Sequence, residues 1–195
     1  MSKTTSVIIA GVGGQGTILA SRLLGCAAMQ RGLDVKVSEV HGMAQRGGSV
    51  ITYVRYADRV FSPVIGSGEA DFLIAFEQLE TARWMFMLKK GGVIVGDSRK
   101  ILPAPVLAGK EAYPDDIPAH IRRRGIRYYE IDALGYADRI GFAKAANVAL
   151  MGSFAAVSDF TFDEWEASIR TVLAGRYIEQ NIKAFRTGYE SIKSF

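Results

Sequence analysis

The sequence predicts an α/β fold with a mostly parallel, doubly wound sheet, and three observations at its start support this. Residues 6–10 (SVIIA) form a short β-branched run, which is typical of a buried strand. A glycine-rich turn at residues 11–16 (GVGGQG) follows directly. From Thr17 onward, apolar and small side chains recur at the spacing of an amphipathic helix, which Arg31 and Gly32 end. Strand, glycine turn and helix in this order begin a Rossmann-like fold.

The next segment departs from that pattern. Residues 35–40 (VKVSEV) predict a second strand, after which a crossover helix is usual. Instead, a glycine-rich loop at residues 41–48 is followed by a β-branched and aromatic run at residues 49–56 (SVITYVRY). Residues 59–61 (RVF) are expected to return antiparallel to that run. The sequence therefore predicts a β-hairpin insertion in place of the helix.

The remainder of the chain alternates strands with helices, which favours the doubly wound arrangement. Strands are predicted at residues 70–76, 93–95 and 127–131, and helices at 78–88, from 132 onward and at 147–157. Residues 89–92 (KKGG) are expected to stop a helix. Thr161 and Glu164 form a capping box at the start of a further helix. We expect residues 1–195 to be one domain, with residues 160–195 as a helical C-terminal extension.

Composition excludes several classes of protein. No apolar run among the 195 residues reaches the ~18 residues needed to span a bilayer, and the N-terminus shows no secretory signal, so we expect a cytoplasmic protein. The net charge is +4, but aromatic residues do not interleave with the densest basic patch at residues 122–124, so nucleic-acid binding is not expected. A single cysteine, Cys26, and two histidines exclude an internal disulfide, a four-cysteine iron–sulfur cluster and the usual zinc sites.

The glycine turn is the first candidate site. Gly11, Gly13, Gly14 and Gly16 allow an anion to approach a helix N-terminus, where unpaired amides favour negative charge. The alternative is that the glycines only make a tight turn. An NAD(P)-binding site requires an acidic residue near the end of the second strand, and Glu39 lies there. The missing crossover helix nevertheless disfavours NAD(P) binding.

The loop after the second strand is the second candidate site. His41 offers a proton carrier, Gln45 an amide, and Arg46 a fork for a carboxylate or phosphate, while Gly47 lets the backbone approach a ligand. Alternatively the loop is structural, and Arg46 pairs with a carboxylate such as Glu39 or Glu77. Asn147 either points at a ligand or only bonds locally within its helix. Asp97 and Asp132 follow strands and are expected to cap the next turn.

Taken together, these motifs resemble a known family. Residues 11–16 (GVGGQG), 39–48 (EVHGMAQRGG), 68–76 (GEADFLIAF) and 91–92, together with Asn147, resemble the gamma-type subunit of 2-oxoacid:ferredoxin oxidoreductases. The HGMAQRGG segment is most similar to the indolepyruvate members, whose small subunit is called beta. The resemblance covers roughly the first 155 residues.

The resemblance implies a subunit without tightly bound cofactors and without activity alone. It implies a larger alpha subunit that carries thiamine diphosphate and iron–sulfur clusters, coenzyme A as co-substrate, and ferredoxin as electron acceptor. The complex would oxidatively decarboxylate arylpyruvates to acyl-coenzyme A. His41, Gln45 and Arg46 would lie at the shared interface, and the glycine turn, Arg46 and Gly47 would bind the anionic ligand. The alternatives are a stand-alone NAD(P)-binding dehydrogenase and a nucleotide-binding regulatory module.

Overall fold

The computed structural model describes residues 4–42, 47–173 and 175–193, and within them six strands form one sheet in the order β2-β3-β1-β4-β5-β6. The strands are β1 (Thr5–Val12), β2 (Asp34–His41), β3 (Ser49–Ala57), β4 (Ala70–Ala75), β5 (Leu88–Asp97) and β6 (Arg127–Ile131). Only β3 runs against the others, because it pairs antiparallel with both β1 and β2, while β1, β4, β5 and β6 pair in parallel. The expected α/β, mostly parallel sheet is confirmed.

Helices cover both faces of the sheet. They are α1 (Thr17–Gln30), α2 (Gln78–Trp84), α3 (Ala104–Leu107), α4 (Ile117–Arg123), α5 (Ala133–Arg139), α6 (Ala146–Ala155), α7 (Phe162–Val172) and α8 (Ile178–Ile192). Helices α1, α6, α7 and α8 bury apolar side chains against one face, in the larger of two core clusters. Helices α2 and α4 pack on the opposite face. Among the described residues, no helix is both long and apolar enough to cross a membrane.

The hairpin forms at the expected place but from a different pair of strands. Strand β3 pairs with β2 on one side and with β1 on the other along its whole length. Because neither edge of β3 is free, residues 59–61 have no strand to join, and their prediction as a return strand is wrong. Instead the Val60 amide donates a hydrogen bond to the Asp34 carboxylate at 2.8 Å. The hairpin loop is therefore the glycine-rich segment at residues 42–48.

The prediction of a helix stop at residues 89–92 is also wrong, because these residues lie inside β5. Gly91 has a φ of +79°, and the pairing register between β4 and β5 shifts alongside it. The Lys89 ammonium pairs with the Asp71 carboxylate on β4. The glycines thus form a bulge within a strand. The helix before them is shorter than expected and consists of α2 and a 3-10 turn at Met85–Met87.

The predicted capping box starts α7 and also ties that helix to α1. The Thr161 hydroxyl accepts from the Glu164 amide at 3.3 Å, and the Glu164 carboxylate accepts from the Thr161 amide at 2.7 Å. Arg31, at the end of α1, donates to the same carboxylate at 2.5 Å. This hydrogen bond lowers the pKa of Glu164 to about 2. The C-terminal helices are held against the first βα unit by packing and by this charged contact.

Helices α6 and α8 approach each other so closely that only glycine fits at two positions. A Cβ on Gly152 would collide with the carbonyl oxygen of Phe185, and one on Gly188 would collide with that of Ala149. The Ser153 hydroxyl adds a hydrogen bond of 2.9 Å to the Gly188 carbonyl across the same contact. Backbone therefore packs directly on backbone here.

Alanine at either of these glycines should separate the two helices. We expect Gly152→Ala and Gly188→Ala each to lower the free energy of unfolding by about 1–3 kcal/mol, since overpacking forces backbone shifts. The matched control is Gly25→Ala in α1, where the nearest atom to an added Cβ is Val35 Cγ1 at 3.8 Å. That change should be neutral or stabilise by up to about 1 kcal/mol through helix propensity. Urea unfolding measures all three, and equal effects at Gly25 and Gly152 would contradict the packing argument.

Candidate functional site

The glycine turn lies at the carboxyl edge of the sheet, where ligands bind in open α/β folds. It connects β1 to α1, and Gly14 and Gly16 have φ angles of +102° and +93°. Gly16 is also the N-cap of α1, and a Cβ there would collide with the Asn147 side chain. Both its conformation and this close approach require glycine. Asn147 itself accepts a hydrogen bond from the Val148 amide at 2.9 Å, so part of its role is local.

Gln15 joins the ends of two parallel strands. Its side-chain oxygen accepts from the Val12 amide at 2.7 Å, and its side-chain nitrogen donates to the Phe76 carbonyl, also at 2.7 Å. Val12 ends β1 and Phe76 directly follows β4. A carboxamide is suited to this bridge because it carries an acceptor and a donor on one planar group. Sequence reasoning missed Gln15, since its neighbours in the glycine motif drew the functional interpretation.

The hairpin loop contacts the glycine turn, so the two candidate motifs lie together at the carboxyl edge of the sheet. The Gly13 amide donates to the Gly48 carbonyl at 2.9 Å, and the Gly47 amide lies 3.5 Å from the Gly13 carbonyl oxygen. The Ser49 hydroxyl donates to the buried Glu80 carboxylate at 2.5 Å, which anchors the end of the loop to α2. The predicted interface residues Gln45 and Arg46 lie outside the described residues.

A first cleft of about 390 Å³ opens on one side of the glycine turn. Its lining consists of Gly13, Gly14, Gly16, Thr17, Ile18, Glu39, His41 and Val50. The first amides of α1 have no partner within the helix, and its first turn carries no acidic residue and no side-chain cap. The dipole of this 14-residue helix adds positive potential at the same end. This helix end therefore suits a negatively charged group, and the Glu39 carboxylate in the lining opposes that effect.

Two of the sequence candidates have defined positions at this cleft. His41, the last residue of β2, is exposed and places Nδ1 3.2 Å from the Gly42 carbonyl oxygen. Glu39 lies two residues earlier on the same strand and is also exposed. Glu77 is not free to pair with the loop, because its buried carboxylate accepts from the Ile101 amide at 3.0 Å and the Tyr113 hydroxyl at 2.5 Å.

A second cleft of about 270 Å³ lies on the other side of the turn, between the ends of β1, β4 and β5. It is lined by Gly14, Gln15, Gly16, Phe76, Asp97, Arg99, Leu134, Ala143, Lys144, Ala146 and Asn147. Arg99 was not singled out from the sequence. The available signal was a basic residue two positions after an acid at a strand end. Asp132, by contrast, only caps α5, where it accepts from the Gly135 amide at 2.9 Å.

Asp97 is the buried acid of the second cleft. Only 3% of the residue is exposed, and burial raises the pKa of its carboxyl to about 6. The guanidinium of Arg99, 3.7 Å away, opposes this shift, and the Arg99 amide donates to the carboxylate at 3.3 Å. The carboxyl thus changes charge near neutral pH, beside a cation at a ligand-sized cleft.

The donor sets do not favour a metal site. Within the described part of the chain, no group of three or more histidine, cysteine, aspartate or glutamate side chains is arranged to hold a metal ion. Cys26 is buried in α1, away from the carboxyl edge, and packs as a small apolar residue.

Comparison with known proteins agrees with this arrangement of motifs. Residues 6–191 match the family model described as pyruvate ferredoxin/flavodoxin oxidoreductase. The chain belongs to this family. It is 36% identical to the indolepyruvate oxidoreductase subunit IorB of Thermococcus kodakarensis, over 98% of this chain and 97% of the relative. It is 37% identical to the subunit of the same name from Archaeoglobus fulgidus, over 94% and 93% of the two chains.

Solved structures share the fold. The gamma subunit of a keto/oxoacid ferredoxin oxidoreductase from Geobacter sulfurreducens superposes with a TM-score of 0.73 at 23% identity, over 98% of this chain and 99% of that one. A 2-oxoglutarate:ferredoxin oxidoreductase chain from Magnetococcus marinus gives a TM-score of 0.77 at 19% identity, over 100% of this chain and 32% of that one. The resemblance to small subunits of 2-oxoacid:ferredoxin oxidoreductases is confirmed, and a stand-alone dehydrogenase is not favoured.

Replacing Gln15 should weaken the junction between β1 and β4. Gln15→Ala removes both hydrogen bonds, and Gln15→Glu places a carboxylate against the Phe76 carbonyl oxygen. We expect each to reduce the free energy of unfolding by about 1–3 kcal/mol, because buried polar partners are left unpaired. Gln30→Ala is the control, since Gln30 makes an exposed hydrogen bond of 3.0 Å to Thr171 and its loss should cost under about 0.5 kcal/mol. Urea midpoints that are the same for Gln15→Ala and Gln30→Ala would refute the bridging role.

The raised pKa of Asp97 predicts a pH-dependent stability difference. The folded protein favours the neutral carboxyl, so this contribution to stability is full below about pH 4 and is lost as the pH rises through about 6. Asn is neutral at every pH. Between pH 4 and 7 the free energy of unfolding of Asp97→Asn should therefore rise relative to that of the wild type, by on the order of 1–3 kcal/mol. Urea unfolding at several pH values measures the difference. Asp138→Asn is the control, since it removes an exposed carboxylate. A stability difference between Asp97→Asn and the wild type that does not change with pH would contradict the prediction.

Proposed function

We propose that this chain is the small subunit of an indolepyruvate-type 2-oxoacid:ferredoxin oxidoreductase, acting on arylpyruvates. One observation carries the proposal: the glycine turn and the hairpin loop, which bear the family motifs, are joined by a hydrogen bond at the carboxyl edge of the sheet. The substrate class comes from the indolepyruvate oxidoreductase subunits, which match this chain along almost their whole length. We further propose that residues 1–195 act as one domain in the cytoplasm.

The redox chemistry is assigned to a larger partner subunit. An iron–sulfur cluster takes four ligands that are usually cysteines, and this chain has only Cys26, which is buried. The residues present therefore do not fit the cluster, and the described residues offer no metal cluster in its place. We assign thiamine diphosphate to the same partner, and ferredoxin to the complex as its electron acceptor. This chain would be inactive alone.

The task proposed for this chain is to complete the partner's active site and to hold coenzyme A. The first cleft suits the phosphates of that co-substrate, because the N-terminus of α1, with its unpaired amides and its dipole, lines it. Gly13, Gly14 and Gly16 leave room for the phosphates to approach the backbone. Arg46, from the hairpin loop, would add a guanidinium that can make two hydrogen bonds to a phosphate. His41 and Gln45 would lie at the interface with the partner.

Native purification through a tag on this chain tests the partner. Carried out without oxygen, it should yield a larger chain in equal amount, with the broad visible absorption of iron–sulfur clusters and with thiamine diphosphate released on denaturation. The complex should then reduce ferredoxin when given coenzyme A and an arylpyruvate, and more slowly with pyruvate or 2-oxoglutarate. A colourless protein without a partner would overturn the proposal.

Arg46→Ala tests the anion contact in the assembled complex. We expect the KM for coenzyme A to rise about tenfold or more, because a charge-assisted hydrogen bond to phosphate contributes about 1.5–3 kcal/mol. Arg59→Ala is the matched control, since Arg59 follows β3 at the opposite edge of the sheet and lies over the exposed ring of Phe61. An unchanged KM in Arg46→Ala, or an equal rise in both variants, would remove Arg46 from the site.

A further inference from the structure

The second cleft contains more hydrogen-bond donors than its own residues satisfy. Arg99 Nε is buried without a hydrogen-bond partner among the described residues, and the nearest anion to its guanidinium is the Asp97 carboxylate at 3.7 Å. Lys144 lines the same cleft, is exposed, and forms no ion pair within the described part of the chain. Asn147 contributes a side-chain amide beside Gly16. We propose that this cleft is a separate anion site that binds a phosphoryl group between Arg99 and Lys144.

The backbone that carries Arg99 is fixed in advance. Its amide donates to Asp97 at 3.3 Å, and its carbonyl accepts from the Gln78 amide at 3.0 Å. Two residues later, the Ile101 amide donates to the buried Glu77 carboxylate at 3.0 Å. Because Glu77 is itself held by Tyr113, the strand end after β5 is clamped on both sides. Because this backbone is already ordered, binding an anion would cost only the conformational entropy of the Arg99 side chain.

Two helix N-termini add to the potential in the cleft. Gly16, the N-cap of α1, and Ala146 and Asn147, the first residues of α6, all line it. Neither helix has an acidic residue in its first turn. The first amides of α1 have no partner within the helix, whereas in α6 the Ala146 amide donates to the Ala143 carbonyl and the Val148 amide donates to Asn147. The macrodipole still places a partial positive charge at each helix end. These partial charges act together with the two full charges of Arg99 and Lys144.

The balance of charge in the second cleft favours an anion. Among the described lining residues Asp97 is the only carboxylate, so Arg99 and Lys144 leave an excess positive charge even when Asp97 is ionised. A tetrahedral phosphoryl group can accept from a planar guanidinium and an ammonium at once. The volume of about 270 Å³ suits a phosphate or diphosphate rather than a whole nucleotide.

The full chain, free of partner, allows the site to be tested independently of the proposed function. Inorganic phosphate and pyrophosphate are titrated calorimetrically at constant ionic strength, and we expect one saturable site with tighter binding of pyrophosphate. Arg99→Met and Lys144→Met should each weaken binding about tenfold, which corresponds to about 1.4 kcal/mol. Asp97→Asn should strengthen it, because the competing carboxylate is removed while an acceptor for the Arg99 amide remains.

Lys183→Met is the control for net charge, since Lys183 lies exposed on α8 away from the cleft and its loss should leave affinity unchanged. Absence of saturable binding, or equal weakening in Lys183→Met and Lys144→Met, would overturn the proposal. Because Lys144 is exposed, that variant keeps the test valid even if Arg99→Met unfolds.

Competition with coenzyme A identifies the source of the phosphoryl group. If pyrophosphate and coenzyme A bind together, the second cleft holds a free anion. If coenzyme A displaces pyrophosphate, and Arg99→Met weakens coenzyme A as well, the second cleft holds one of its phosphates. Both results support a phosphoryl site. The contrary result is that coenzyme A displaces pyrophosphate but binds equally well to Arg99→Met and Lys144→Met.

Discussion

The carboxamide of Gln15 holds the ends of β1 and β4 together, and the rest of the carboxyl edge depends on the spacing of these two strand ends. These two strands flank the point at which the chain turns from one half of the sheet to the other, where parallel strands leave a crevice. Gln15 closes the crevice at its base with two hydrogen bonds of 2.7 Å. The glycines around it then stand above the strand ends, with one cleft on each side. Two separate sites can therefore share a single turn.

The antiparallel insertion determines which loop reaches that turn. A crossover helix after β2 would carry the chain away from the carboxyl edge before the next strand began. Because β3 instead runs back directly beside β1, the hairpin loop stays at the edge where β1 ends, and Gly48 bonds to Gly13. Ser49 and the buried Glu80 fix the point at which the loop rejoins the sheet. Strand direction thus brings Gly47 and Gly48, at the end of the loop, to the glycine turn.

Local sequence patterns predicted those parts of the fold that local forces decide. The glycine turn, the amphipathic α1 and the capping box at Thr161 each depend on neighbours a few residues apart, and all three form as expected. The errors concern pairing. Whether residues 59–61 join a sheet depends on a free strand edge. Whether residues 89–92 end a helix or form a bulge depends on pairing with the neighbouring strand β4. For the site, the motif residues were evident from the sequence. Gln15 was missed because it bonds to Phe76, 61 residues away, and Arg99 was missed because it lines a cleft that only the fold creates.

The buried acid in the second cleft gives that site a coupling between charge and protonation. Asp97 is faced by Arg99 and Lys144, with Asp132 and the Tyr128 ring beyond them, and burial outweighs the nearby cation in raising its pKa. With the cleft empty of anion, the ionised carboxylate compensates Arg99, whose Nε has no other partner among the described residues. A bound anion takes over that compensation and repels the carboxylate, so its pKa must rise further. Anion binding and proton uptake by Asp97 are therefore linked. For an anion whose own charge stays constant, the affinity of the cleft should increase as the pH falls through the pKa of this one residue.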